Sequence, residues 1–91
     1  MGRLPTGAGA RVVVVDPDQP TRVYAASENG VYRSDDAGQS WAPASQGLQG
    51  QRMASLAVDP SRSRRLYALT MPGAVYVSED GADSWRPTQG P

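Results

Sequence analysis

Ser34-Asp35-Asp36-Ala37-Gly38-Gln39-Ser40-Trp41 returns later in the chain as Ser78-Glu79-Asp80-Gly81-Ala82-Asp83-Ser84-Trp85. The first octet fits S-x-D-x-G-x-x-W throughout, and the second departs only at Ala82, where the pattern has glycine. The flanks repeat as well. Val31-Tyr32 returns as Val75-Tyr76, and Ser40-Trp41-Ala42-Pro43 as Ser84-Trp85-Arg86-Pro87, both at an offset of 44. Further upstream, Arg22-Val23-Tyr24-Ala25 returns as Arg65-Leu66-Tyr67-Ala68, and Val15-Asp16-Pro17 as Val58-Asp59-Pro60, both at 43. The extra residue enters where Ser27-Glu28-Asn29-Gly30 faces Thr70-Met71-Pro72-Gly73-Ala74. Turns between strands are where a chain absorbs an insertion most easily.

Each unit reads as four short strands divided by turn residues. The first unit gives Val12–Val15, Arg22–Ala26, Val31–Ser34 and Ser40–Ala44. The second gives Ala54–Val58, Arg65–Leu69, Ala74–Ser78 and Ser84–Thr88. The unbroken apolar run Val12–Val15 predicts a strand covered on both faces. Asp16-Pro17-Asp18, Asn29-Gly30 and Pro72-Gly73 supply turns, Asn-Gly being a strong hairpin signal. No stretch holds apolar residues at helical spacing, so the chain is read as all-β. Four strands in a period of about 40–45 residues mark the blades of a β-propeller. An eight-stranded sandwich is the competing architecture, but a sandwich needs no repeating unit.

Composition agrees with a folded chain of modest size. The 91 residues are 38% hydrophobic with 10 glycines, which is near the globular average. Nine Lys+Arg balance nine Asp+Glu, so no basic field exists to hold nucleic acid or an anionic membrane. No apolar run approaches the ~20 residues of a membrane helix. Cysteine and histidine are both absent, which removes disulfide staples and the commonest general base and metal ligand.

The two octets resemble the Asp box, or bacterial neuraminidase repeat, of sialidases, sortilin-like receptors and many glycan-active propellers. The Val-Asp-Pro step and the Gly-Val-Tyr strand fit the same family. The resemblance implies two four-stranded antiparallel blades, with residues 1–11 as a lead, 12–46 as the first blade, 47–53 as a linker and 54–91 as the second. It assigns Ser34, Asp36, Gly38 and Trp41, with Ser78, Asp80, Ala82 and Trp85, a structural role. The carboxylate and hydroxyl can accept backbone N–H bonds across a tight turn. Gly38 can take a positive φ, which leaves Ala82 either strained or relieved by Gly81. Both indoles are expected to fold back over their hairpins.

Chemical readings of the same residues compete with this structural one. A calcium loop would draw on Asp35 and Asp36, or on Glu79, Asp80 and Asp83, too few oxygens for the ~6–8 ligands calcium takes. No metal, cofactor or catalytic residue is therefore assigned. The resemblance implies sialidase chemistry as a possibility, which needs an arginine cluster, a tyrosine nucleophile and an acid. Arg11, Arg22, Arg33 and Arg65, with Tyr24, Tyr32, Tyr67 and Tyr76, are the candidates by type. All four tyrosines occupy equivalent repeat positions, which is the pattern of packing rather than of an asymmetric active site. Arg62, Arg64 and Arg65, with Arg52 nearby, form a small basic cluster read as a solvated rim.

The reading that follows is a non-enzymatic, self-assembling propeller module. Two blades bury one face each and leave two faces open. Propellers hold about 4–8 blades, so identical two-blade chains close as a homotrimer, or as a homotetramer in second place. The boundaries fall between blades, as in a fragment or a designed building block. A carbohydrate-binding propeller, with glycan as partner, is the first alternative; a piece of a larger Asp-box enzyme or assembly factor is the second.

Overall fold

The computed structural model describes residues 10–28, 30–48, 52–71 and 73–88. They form eight strands: β1 (Ala10–Val15), β2 (Val23–Ser27), β3 (Gly30–Ser34), β4 (Ala42–Pro43), β5 (Arg52–Asp59), β6 (Arg62–Met71), β7 (Val75–Ser78) and β8 (Arg86–Pro87). Strands β1 to β4 make one antiparallel sheet in chain order, and β5 to β8 make a second. The expected strands are thus all present. The fourth strand of each unit is shorter than expected, because the motif turn runs on through Ser40 and Ser84. The β5–β6 hairpin is longer, pairing from Arg52↔Met71 to Asp59↔Arg62. Most of the lead, together with Asn29 and Pro72, lies outside the described residues.

The repeat reaches down to irregularities. The first hairpin slips its register between Ala10 and Val12, and the β5–β6 hairpin slips between Met53 and Ser55. Arg11 and Ala54 are the extra residues, so each sheet bends at the same place. Asp16, buried after β1, accepts the Asp18 and Gln19 N–H groups at 2.8 and 3.2 Å. Its counterpart Asp59 accepts the Ser61 N–H at 2.9 Å. An aspartate before proline turns the chain this way by replacing a backbone acceptor.

The core lies between the sheets. Tyr24, Ala26 and Val31 from the first sheet pack with Met53, Leu56, Leu66, Ala68 and Trp85 from the second, and Val12, Val14, Val58 and Tyr76 border them. Strand alternation sets the two faces. Val12 and Val14 therefore point toward the second sheet, whereas Val13 is 54% exposed and Val15 is also exposed. The expectation that Val12–Val15 is covered on both faces fails within this chain. Its apolar run has one covered face and one open one.

The basic cluster does not include Arg52. Arg62 pairs with Asp59 at one end of the β5–β6 hairpin, and Arg52 pairs with Met71 at the other. Seven residues of strand at ~3.3 Å each separate the two ends. Arg52 does not join Arg62, Arg64 and Arg65.

Candidate functional site

The two motif turns are built from the same bonds. In the first, the Ser34 hydroxyl donates to Asp36 Oδ1 at 2.7 Å and accepts the Gly38 N–H at 2.8 Å. Asp36 Oδ1 accepts the Ser40 N–H at 2.9 Å, and Oδ2 accepts the Ser40 hydroxyl at 2.5 Å. In the second, Ser78 donates to Asp80 at 2.8 Å and accepts the Ala82 N–H at 2.9 Å. Ser84 then reaches Asp80 through its N–H at 3.0 Å and its hydroxyl at 2.7 Å. Ser34 and Asp36, and likewise Ser78 and Asp80, are thus bonded to one another and to the backbone of their own turns. Ser40 and Ser84 were missed as members, although both sequence copies keep serine before the tryptophan. Each turn is also tied to the preceding hairpin, Ala37 N–H to the Thr21 carbonyl at 2.8 Å and Gly81 N–H to the Arg64 carbonyl at 3.0 Å.

These bonds favour the charged carboxylates. Hydrogen bonds from Ser34 and Ser40 lower the Asp36 pKa to about 2. Burial acts to raise that of Asp80, but the bonds from Ser84 and Ser78 together outweigh it, so it too is lowered. Ionised oxygens already committed to hydroxyls and N–H groups of their own turn serve that turn's geometry.

The glycine question has a symmetric answer. Each turn places two consecutive residues at positive φ: Ala37 at 63° and Gly38 at 91°, then Gly81 at 71° and Ala82 at 74°. Alanine and glycine exchange places between the copies, so Ala82 carries a left-handed conformation and Gly81 does not relieve it. Such a conformation costs an L-residue about 1–2 kcal/mol. Ala37 is exposed and Ala82 fully buried within the core. Ala37→Gly is therefore expected to stabilise the fold by up to ~1 kcal/mol. Ala82→Gly should be close to neutral, because the lost methyl offsets ~0.8 kcal/mol. Gly38→Ala should cost about 1 kcal/mol. Chemical denaturation of the three variants checks the order, and stabilisation by Gly38→Ala would refute it.

The tryptophans differ although the motif does not. Trp85 is buried, and its indole N–H donates to the Ala44 carbonyl at 2.8 Å. Its backbone N–H meets the Gln46 carbonyl at 2.8 Å. Trp85 therefore joins the two sheets. Trp41 is half-buried and packs on Ala25 and Tyr32, on the far face of the first sheet.

Three of the candidates for sialidase-type chemistry come together: a Cβ built on Gly81 would lie 3.5 Å from Arg22 Nη1, 3.6 Å from the Tyr24 hydroxyl and 3.7 Å from Arg33 Nη1. Arg22 and Arg33 converge on Asp35, with N···O separations of 3.1 and 3.8 Å. Arg33 also crosses to the second sheet, donating to the Gly81 carbonyl at 2.8 Å and to Asp83 at 3.0 Å. Arg11 pairs with Glu28 at 3.1 Å, and Arg65 with Glu79 at 3.3 Å, each within its own sheet. Tyr24 is buried at the core, and that burial raises its phenol pKa against the smaller opposing pull of the nearby Arg22. Tyr32 is buried on the opposite face of the same sheet. Tyr67 is exposed, and Tyr76 lies at the edge of the core.

Comparison with known proteins agrees with this architecture. The model of the Sortilin-Vps10 family (sortilin, neurotensin receptor 3) matches residues 29–91. An oligoxyloglucan-reducing end-specific xyloglucanase of Emericella nidulans is 34% identical over 99 residues, which cover 90% of this chain and 12% of that protein. Among solved structures, an ancestral GH74 enzyme superposes with a TM-score of 0.75 at 20% identity, over 87% of this chain and 12% of the enzyme. The GH74 xyloglucanase of Xanthomonas campestris gives 0.71 at 24% identity, over 97% and 16%. The two sheets match blades of these propellers, and the chain spans about one-eighth of the curated relative's length. With the repeated octets, the matching sheets and a family match over most of its length, the chain belongs to the Sortilin-Vps10 family.

Proposed function

We propose that this chain is a structural module, two Asp-box blades that build a β-propeller by packing their open faces and supply no reacting group of their own. The observation that carries the reading is the repeat of the hydrogen-bond set in both motif turns. A reacting site needs different residue types converging on one point. In the two motif turns equivalent residues do equivalent work, and both aspartates are spent on their own turns.

A second reading draws on the 34% identity to a xyloglucanase: the blades contribute to a larger glycan-cleaving propeller. The two readings separate on glycan binding. Calorimetric titration of the chain with xyloglucan oligosaccharides is expected to show no saturable heat. Saturable binding that Tyr67→Ala abolishes, with thermal stability unchanged, would overturn the scaffold reading and favour the glycan-directed one.

A further inference from the structure

The same repeat positions are covered on one sheet and open on the other. Tyr24, facing the second sheet, is fully buried, while its counterpart Tyr67 on the far side of that sheet is 38% exposed. Ala26 and Val31 lie in the core, while their counterparts Leu69 and Val75 are exposed. The first sheet's outer side shows the converse. Val13 is open, whereas its counterpart Leu56 is only 4% exposed. Val15 is open as well, and its counterpart Val58 borders the core.

The outward face of the second sheet also keeps the contour of the inward face of the first. Val12 pairs across the strands with Ala26, and at the equivalent place Ser55 pairs with Leu69. Bulk lost on one strand is regained on its neighbour, the kind of exchange that preserves packed shape. One difference is polar: Arg33, which crosses the inner contact to Asp83, is replaced at its equivalent position by the buried Val77. The outward face of the second sheet thus lacks the guanidinium that the inward face of the first carries.

We infer that the outward face of the second sheet docks on the outward face of the first sheet of another copy of this chain, head to tail, in the register of the inner contact. This rests on the scaffold reading and names its partner. The chain carries both halves of a contact it already makes once within itself, so a second copy meets each open face with a surface of the right shape. Such heterologous contacts generate rings when the rotation closes, and three copies are the expected number.

The test uses two variants, each bearing one blocked face. Val13 and Leu69 are exposed in the single chain, so Val13→Lys and Leu69→Lys leave its core intact, as circular dichroism of each should show. Sedimentation and native mass spectrometry of the wild type at micromolar concentration should show a closed oligomer. Each variant alone should associate roughly a hundredfold more weakly or less, because a lysine would be buried without a partner. Mixed together, they should form a one-to-one pair, since each retains the face the other lacks. A variant that still assembles alone, or a mixture that fails to pair, overturns the head-to-tail contact. A folded, monomeric wild type overturns the second copy as partner. If that monomer is then captured by a polypeptide bearing further propeller blades, the scaffold reading survives. If it is not, that reading fails too.

Discussion

Replacing Gly47 by alanine is expected to destabilise the chain by about 2–4 kcal/mol, a contribution from backbone strain adding to one from steric overlap. Gly47 lies in the turn after β4 at a φ of 98°, and a Cβ built there falls 2.2 Å from the Trp85 carbonyl oxygen and 3.1 Å from its carbon. Both atoms are backbone, so no side chain can swing aside, and the loop or the Trp85 segment must shift. That shift would loosen the bond from the Trp85 N–H to the Gln46 carbonyl one residue away. Gly73→Ala provides the control. Gly73 has a φ of 134° and nothing within 4 Å of a built Cβ, so its cost is backbone strain alone. Urea denaturation of both variants separates the two contributions. Equal losses at the two positions would show that the contact with Trp85 is relieved without cost.

Trp85→Ala should lose about 3–5 kcal/mol, the usual range for truncating a large buried aromatic. Domains of this kind have only ~5–15 kcal/mol in total, so the variant would sit close to unfolding at room temperature. Two effects add. The indole leaves a cavity in the core between the sheets, and the Ala44 carbonyl loses its donor. Trp41→Ala should cost distinctly less in the single chain, because Trp41 is half-buried over Ala25 and Tyr32. The difference comes from neighbours rather than from the motif. Thermal unfolding of both variants as monomers reads it directly, and matching losses would mean that Trp85 does not carry the joint between the sheets. Gly47 and Trp85 touch, so the double variant should fall short of the summed losses.

The turns were legible because their physics is local. Ser34, Asp36, Gly38 and Ser40 bond to one another within a few residues, and so do Ser78, Asp80, Ala82 and Ser84. A pattern of residue types at fixed spacing therefore carries nearly all of the geometry of the turn. The exchange of alanine and glycine between Ala37-Gly38 and Gly81-Ala82 could be seen in the letters, but not that both positions of each turn are left-handed. Backbone conformation there answers to the whole turn rather than to one residue.

What only the tertiary structure decided is which of two equivalent residues is covered. Tyr24 and Tyr67, Leu56 and Val13, and Trp85 and Trp41 hold the same places in the repeat, yet the first of each pair is buried and the second is not. Local sequence specifies the blade and its two apolar faces. Burial, and with it most of the stabilising free energy, depends on what stands against each face. The same reason hid Gly47, whose constraint is a carbonyl oxygen 38 residues further along the chain, and it separated Arg52 from the arginines of β6. The repeat determined the blade; the packing of one sheet on the other determined where this chain is closed and where it remains open.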